Sequence, residues 1–369
     1  MEQSREKFAK KSPGMADVAR LAGVSKNTVS LSLKDSPLIS EKTKKKILKV
    51  AVSIGYEKNM IFSRFMSEIK MSGLKRYRET IALINANESH DAFKKHPTIP
   101  KYVEGIKRAA EREGFAIDEF WLYDPDLSGR SLTRVLKTRG IRGGIVTGLM
   151  DNNRLPAKFK EVWSTFKFVI TGVRTYEPTL NFSIADHYLT AYRAVQRALE
   201  YGYERPALVL DKKIDELIEG RFTGGFLRAQ LNMPRENRIE PFFAVKEARE
   251  DISIFFDWYK RNRPNAIICL YNSVKKWVDE LGIKVPQELA LIQLERRDSE
   301  SEWAGLNQRN DLVGESAVER LSQLLYSPSV SHSGVPTATL VSPEWIDSAT
   351  ICARKKSPAR ACAFLRTRA

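Results

Sequence analysis

The chain has 369 residues, 42% hydrophobic and 29% charged, which is enough for a sizeable core and too long for one small domain. Its formal net charge of +16 sits at the ends: residues 1–78 hold 18 Lys/Arg against 7 Asp/Glu, residues 353–369 hold six basic residues and no acidic one, and −1 is left for residues 79–352. This composition excludes a disordered chain, and no run reaches the roughly 18 apolar residues of a membrane span.

A basic end on a near-neutral body points to nucleic acid, because it offsets phosphate charge and releases counterions. For residues 353–369 a solvated, disordered tail is the simpler expectation. The opening MEQSREKFAKKSPG has no apolar segment and is not expected to act as a secretory signal. Cys269, Cys352 and Cys362 have neither metal-ligand nor disulfide spacing. That fits a reducing compartment, so a cytoplasmic protein is expected.

From Met15 the text reads MADVARLAGVSKNTVSLSLKDSPLISEKTKKKILKVAVSIGY. Val18, Ala19, Leu21 and Ala22 form the apolar face of a short helix that stops at Gly23, a residue able to take the positive φ of a sharp turn. Ser25 caps a second helix that turns Val29 and Leu33 inward and exposes Lys26, Asn27, Ser30, Leu31 and Lys34. Asp35-Ser36-Pro37 ends it. Ser40 caps a third helix, with Ile47, Leu48, Val50, Ala51 and Ile54 toward the core and Gly55 at its end. Two short helices around a glycine turn, with polar residues opening the second, predict a helix-turn-helix.

DVARLAGVSKNTVS, continued by LISEKTKKKILKVAVSIGY, resembles the signature of the lactose-repressor/galactose-repressor family of bacterial regulators. The resemblance implies that Lys26 and Asn27 read base edges in the major groove. Leu31 stands where many members carry arginine, so it would offer a thymine methyl contact instead of a guanine one. Ser25, Thr28, Ser30 and Lys34 would then meet phosphates, which position without specifying sequence. Gly14 replaces the usual capping residue.

EKNMIFSRFMSEIKMSGLKRYR, residues 57–78, falls where the family has a hinge helix that folds on operator DNA and wedges the minor groove. Tyr56 and Asn59 match its pattern, Lys58 replaces proline, and the wedge is Phe65 ungapped or Met66 after a one-residue shift. The alternative is that Ile61, Phe62, Phe65, Met66 and Ile69 form an ordinary apolar face.

After Thr80, apolar runs alternate with amphipathic helices. Strands are predicted at 80–85, 115–122, 143–148, 166–172, 206–210, 265–270 and 289–294, with helices such as Tyr102–Glu113, Tyr188–Tyr201 and Val274–Leu281 between them. This pattern means a parallel sheet covered on both faces, and breaks near 175 and 305 suggest two lobes. The resemblance adds an α/β periplasmic-binding-protein-like body of two Rossmann-like lobes, joined by three crossovers, with ligand in the cleft. SIADHYLTAYRAVQRALEYGYERPALVL resembles the opening of the second lobe and GVPTATLVSPEWIDSATI the closing strand and terminal segment. The organisation expected is a helix-turn-helix head at 14–58, hinge and linker at 59–78, a bilobed body at 79–352 and a tail at 353–369.

Ligands of open α/β sheets sit at the carboxyl ends of strands, which makes Asn85 to Glu88 (Asn87 among them), Asp186, Arg221, Asn272 and Glu295 the candidate effector contacts. Asp186 could equally cap the following helix. Ser273 replaces a family aspartate, and Gln293-Leu294-Glu295-Arg296 stands where Gly-aromatic-Asp-Asp is usual. Fewer carboxylates weaken the expectation of a neutral sugar. Arg174, Arg221 and Arg296 would suit an anion or simply be solvated.

No nucleophile elbow, zinc-protease motif, phosphate loop or dinucleotide fingerprint is present, and His90, His96, His187 and His332 are scattered. His187 beside Asp186 is expected to be structural or ligand-facing. No enzyme and no cofactor or metal is therefore expected. The expected protein is a homodimeric repressor on a pseudo-palindromic operator, controlled by a small-molecule effector. The tail lacks the leucine heptads of a tetramer. An effector-independent regulator and a solute-binding protein are the alternatives.

Overall fold

The computed structural model describes residues 15–33, 39–54, 79–299, 301–326 and 335–354. The chain divides into two compact units, Met1–Tyr77 and Arg78–Ala369.

Among its described residues the first unit contains three helices, α1 (Met15–Ala22), α2 (Lys26–Leu33) and α3 (Glu41–Ser53). Gly23, at φ +65°, makes the turn between α1 and α2. Thr28 N–H donates to Ser25 Oγ at 3.0 Å and Thr43 N–H donates to Ser40 Oγ at 3.3 Å, so both predicted serines cap their helices. Val18, Ala19, Ala22, Val29, Ile47 and Ala51 form the core. Leu21, expected on the inner face, is 50% exposed: helical spacing carries it past the edge of a core only three short helices wide. Leu48, Val50 and Ile54 are half-buried, and Lys44 is buried with its ammonium 2.9 Å from Glu41.

The second unit holds two sheets. The first runs β10-β5-β4-β3-β1-β2 and the second β11-β9-β8-β7-β6. In the first sheet β1 is Glu79–Asn85, β2 Phe115–Trp121, β3 Gly143–Thr147, β4 Lys167–Thr171, β5 Asn181–Ala185 and β10 Ala338–Val341, all paired parallel. In the second, β6 is Pro206–Val209, β7 Ala266–Cys269, β8 Ala290–Gln293 and β9 Ala304–Asn307, also parallel, while β11 (Glu344–Ile346) runs antiparallel to β9. Strands β3, β6, β7 and β8 are buried along their whole length, as helices on both faces require.

The seven predicted strands are all present. Four further ones (β5, β9, β10, β11) complete the sheets, of which only β10, the closing strand, had been indicated. The stretch read as the opening of the second lobe begins inside β5, which pairs with β4 in the first sheet. The chain therefore leaves the first lobe at Asp186, later than the break read near 175. Helix His187–Glu200 packs Ala191, Ala194, Val195 and Ala198 into the core of the second sheet. The chain returns after β9 through helix Asn310–Tyr326, whose Val313, Ala317 and Leu321 join the core of the first sheet. It crosses a third time between β10 and β11.

Two glycines make the return helix fit. A Cβ on Gly105, in helix Ile99–Glu113, would lie 1.8 Å from the Asp311 carbonyl oxygen, and one on Gly314 would lie 2.1 Å from the Tyr102 carbonyl oxygen. The two helices thus meet backbone to backbone. Gly105→Ala and Gly314→Ala are each expected to destabilise the body by at least about 1–3 kcal/mol, read as a lower denaturant midpoint. An unchanged midpoint in both would show that the helices can part without cost.

Candidate functional site

Helix α2 presents Lys26 and Asn27 as exposed side chains in its first turn. Leu31 is half-buried where full exposure was expected. It lies within α2 beside the buried Ser32 and two positions from the buried Val29, so the edge of the small head core covers part of it. The hydroxyls of Ser25 and Thr28 are 2.8 Å apart, so Ser25 is committed to capping as well as being exposed. Of the other predicted DNA contacts, Ser30 lies within α2, and Lys34, Asn59, Phe65 and Met66 fall outside the described residues.

In the second unit a cavity of about 500 Å³ lies between the two lobes. The first lobe contributes His96, Thr98, Tyr102, Met150 and Val173, and the second His187, Leu217, Ile218, Phe222, Arg249, Leu270, Tyr271, Asn272, Ser273, Glu295 and Arg297. The residues come from strand ends and helix starts: Asn272 and Ser273 follow β7, Glu295 follows β8, and His187 opens the helix after the first crossing.

Of the predicted effector contacts Asn85, Asn87, Asp186, Arg221, Asn272 and Glu295, the last two line this cavity, and Glu88 does not. The other four are outside the lining and have local partners. Asn85 Nδ2 donates to the Ser89 and His90 carbonyls and its Oδ1 accepts from Asn87 N–H. Asn87 Nδ2 donates to the Gly148 carbonyl at 3.1 Å. Asp186 caps its helix by accepting from Leu189 N–H at 2.9 Å. Arg221 pairs with Glu219 at 2.9 Å. Arg174 also approaches Glu219, at 3.5 Å, and Arg296 approaches Asp298, at 3.5 Å. None of these three arginines lines the cavity.

Glu295 is the carboxylate of the lining, and it is heavily engaged. Its Oε2 accepts from Arg297 Nη2 at 2.7 Å and from Thr98 Oγ1 at 3.2 Å, and its Oε1 accepts from Asn310 Nδ2 at 2.8 Å. The Thr98 bond spans the two lobes. Asn153 Nδ2 also crosses, donating to the Leu217 carbonyl at 2.9 Å, and Lys213 is paired with Asp151.

His187 is 6% exposed, faces the Phe222 ring edge-on at 4.9 Å, and its buried Nδ1 has no hydrogen-bond partner among the described residues. Burial, with a smaller contribution from the charge of Arg221, holds its pKa down to about 3. His96 accepts from the Thr98 and Ile99 N–H groups and is likewise shifted down by burial and by Arg297. Both rings are neutral at neutral pH. Burial raises the phenols of Tyr102 and Tyr271. The Arg249 guanidinium lies 4.8 Å from the centroid of the Tyr271 ring. Sequence reasoning missed Phe222, Arg249, Tyr271 and Arg297.

A helix-turn-helix in one chain with a two-lobed α/β unit and its ligand-sized cavity defines a class, the DNA-binding regulators with a binding-protein-like sensor. Residues 14–59 match the lacI family of bacterial regulatory proteins, and residues 195–347 match a periplasmic binding protein-like domain. The chain thus carries a lacI-family DNA-binding head on a periplasmic-binding-protein-like body, the make-up of a transcriptional regulator.

It is 24% identical over 289 residues to the NTD biosynthesis operon regulator NtdR of Bacillus subtilis (strain 168), covering 76% of this chain and 82% of that one. Among solved structures, the transcriptional regulator CelR–cellobiose complex matches at 17% identity with a TM-score of 0.55, covering 92% of this chain and 99% of that one. The lac repressor dimer bound to operator and the anti-inducer ONPF matches at 17% identity with a TM-score of 0.53, covering 93% and 100%. These two likenesses show the shared fold. Among the described residues no helix is long and apolar enough to cross a membrane, and no cluster of His, Cys, Asp and Glu could hold a metal ion.

The depressed pKa of His187 has a consequence for stability. Its folded value lies below the ordinary value of about 6.5, so the unfolded chain takes the proton first, and stability falls as pH drops below about 6.5 toward 3. Between about pH 7.5 and 5.5 this group is expected to remove about 1.4 kcal/mol, a loss that His187→Asn should abolish in denaturant titrations. Equal losses in both proteins would contradict the assignment.

Proposed function

We propose that the protein is a cytoplasmic homodimeric repressor that binds a pseudo-palindromic operator and is controlled by a small molecule held between its lobes. Each head reads one half-site, with Lys26 and Asn27 on base edges and Ser25, Thr28, Ser30 and Lys34 on phosphates. Asn59 and Phe65 or Met66 are assigned to a hinge that wedges the minor groove. The proposed division is a head at 14–58, hinge and linker at 59–78, body at 79–352 and tail at 353–369.

The observation that carries the control reading is the cavity itself, walled by both lobes and containing a buried, unpartnered His187 nitrogen. A molecule touching both walls alters their relative stability in different arrangements, which is the thermodynamic requirement for coupling to operator affinity. The cavity favours this reading over an effector-independent regulator, and the lacI-type head favours it over a free-standing solute-binding protein. The likeness to the lac repressor dimer on its operator supports the dimer.

Selection of the purified protein against random double-stranded DNA is expected to recover a pseudo-palindrome. Lys26→Ala and Asn27→Ala should then relax the preference at their positions by about 1–3 kcal/mol, measured as the binding difference between selected and mutated sites. Absence of any enriched sequence, or variants with unaltered preference, would count against the head as reader.

A further inference from the structure

Resting on the cleft as the effector site, we propose that the effector is a small organic anion with an apolar body, and that Arg249 meets its charge. The charge balance of the lining leads to this class. Among its charged residues Glu295 and Arg297 neutralise one another, and Glu295 is further occupied by Thr98 and Asn310. His96 and His187 are neutral. Arg249 remains, its guanidinium stacked on Tyr271 with no carboxylate partner among the described residues. The lining is thus one positive charge in excess.

A neutral saccharide presents many hydroxyl donors and needs acceptors free to take them. Here the one carboxylate already accepts three bonds. Beside the polar Thr98, Tyr271, Asn272, Ser273 and Gln308, the wall carries Met150, Val173, Leu217, Ile218, Phe222 and Leu270, which favour an apolar body in the ligand. Within this wall His187 Nδ1 and Ser273 Oγ are buried without a hydrogen-bond partner among the described residues, which suits a ligand with one or two polar features besides its charge. A guanidinium held against an aromatic face is preorganised for a planar carboxylate.

The test is calorimetric titration of the full chain with matched pairs: benzoate and benzamide, 3-phenylpropanoate and its amide, and 4-methylpentanoate and its amide. Cellobiose and glucose 6-phosphate serve as comparators. At least one carboxylate should bind about tenfold more tightly than its amide, and Arg249→Gln should bring that ratio to within about twofold. His187→Asn should weaken acid and amide alike, which separates its role from that of the charge.

The proposal is overturned if no carboxylate outbinds its amide, if Arg249→Gln leaves the ratio unaltered, or if either comparator outbinds every carboxylate. Tighter cellobiose would sink the anion, and tighter glucose 6-phosphate would sink the apolar body. Failure of this class leaves the operator selection untouched, whereas failure of the regulator reading would appear there and not in these titrations.

Discussion

Helices Ile99–Glu113 and Asn310–Tyr326 touch backbone to backbone, and the body is organised around that contact. Gly105 and Gly314 remove the two side chains that would hold the helices apart. Their contact draws the chain back from the second lobe into the first and leaves β10 free to add in parallel to β5. Without that return the first sheet would end at β5 and the lobes would share one connection. With it they share three, and the cavity is walled by both lobes close to those crossings.

The polar groups of the cavity follow from this arrangement. His187 stands immediately after the first crossing and Gln308, which also lines the cavity, at the second, while Asn310 reaches from the second to hold Glu295. Glu295 in turn bonds Thr98 of the opposite lobe. Bonds of this kind across the cleft make the disposition of the lobes sensitive to whatever occupies it, since a ligand competing for Thr98 or Arg297 changes what the lobes share. The buried His187 nitrogen carries a cost in the structure as it stands, and a ligand partner would offset it.

The head was legible because its constraints are local: a glycine at positive φ, serine caps at Ser25 and Ser40, and an apolar set spaced for three short helices. The strands were legible because parallel strands buried on both faces are continuous apolar runs. What escaped lacked such a run: β5 is interrupted by Asn181 and Ser183 and β9 by Gly305 and Asn307, β11 has three residues, and β10 alternates exposed and half-buried positions. The cavity was only partly legible for a different reason. Polar residues at strand ends also close loops and cap helices, and Asn85, Asn87 and Asp186 do that here. Sequence position cannot separate the two uses. The lining residues that escaped lie beside predicted ones, Phe222 next to Arg221, Tyr271 next to Asn272 and Arg297 two positions beyond Glu295. Choosing between such neighbours needs the helix start or turn that aims each side chain, which is set by tertiary packing. Arg249 has no local signal at all, because only the fold brings its helix, Val245–Glu250, beside Tyr271.

If the disposition of the two lobes governs operator binding, holding it fixed must change the affinity for DNA. The measurement is the operator affinity of a Thr98→Cys, Glu295→Cys variant that also carries Cys352→Ser and Cys362→Ser, before and after a short bis-methanethiosulfonate ties the lobes across the cleft through reducible disulfides, expelling methanesulfinate. Tying them is expected to change operator affinity at least about fivefold, the low end of ordinary allosteric coupling, and release of the tether should restore it. Equal affinity in the tied and untied protein would mean that the lobes do not communicate with the head.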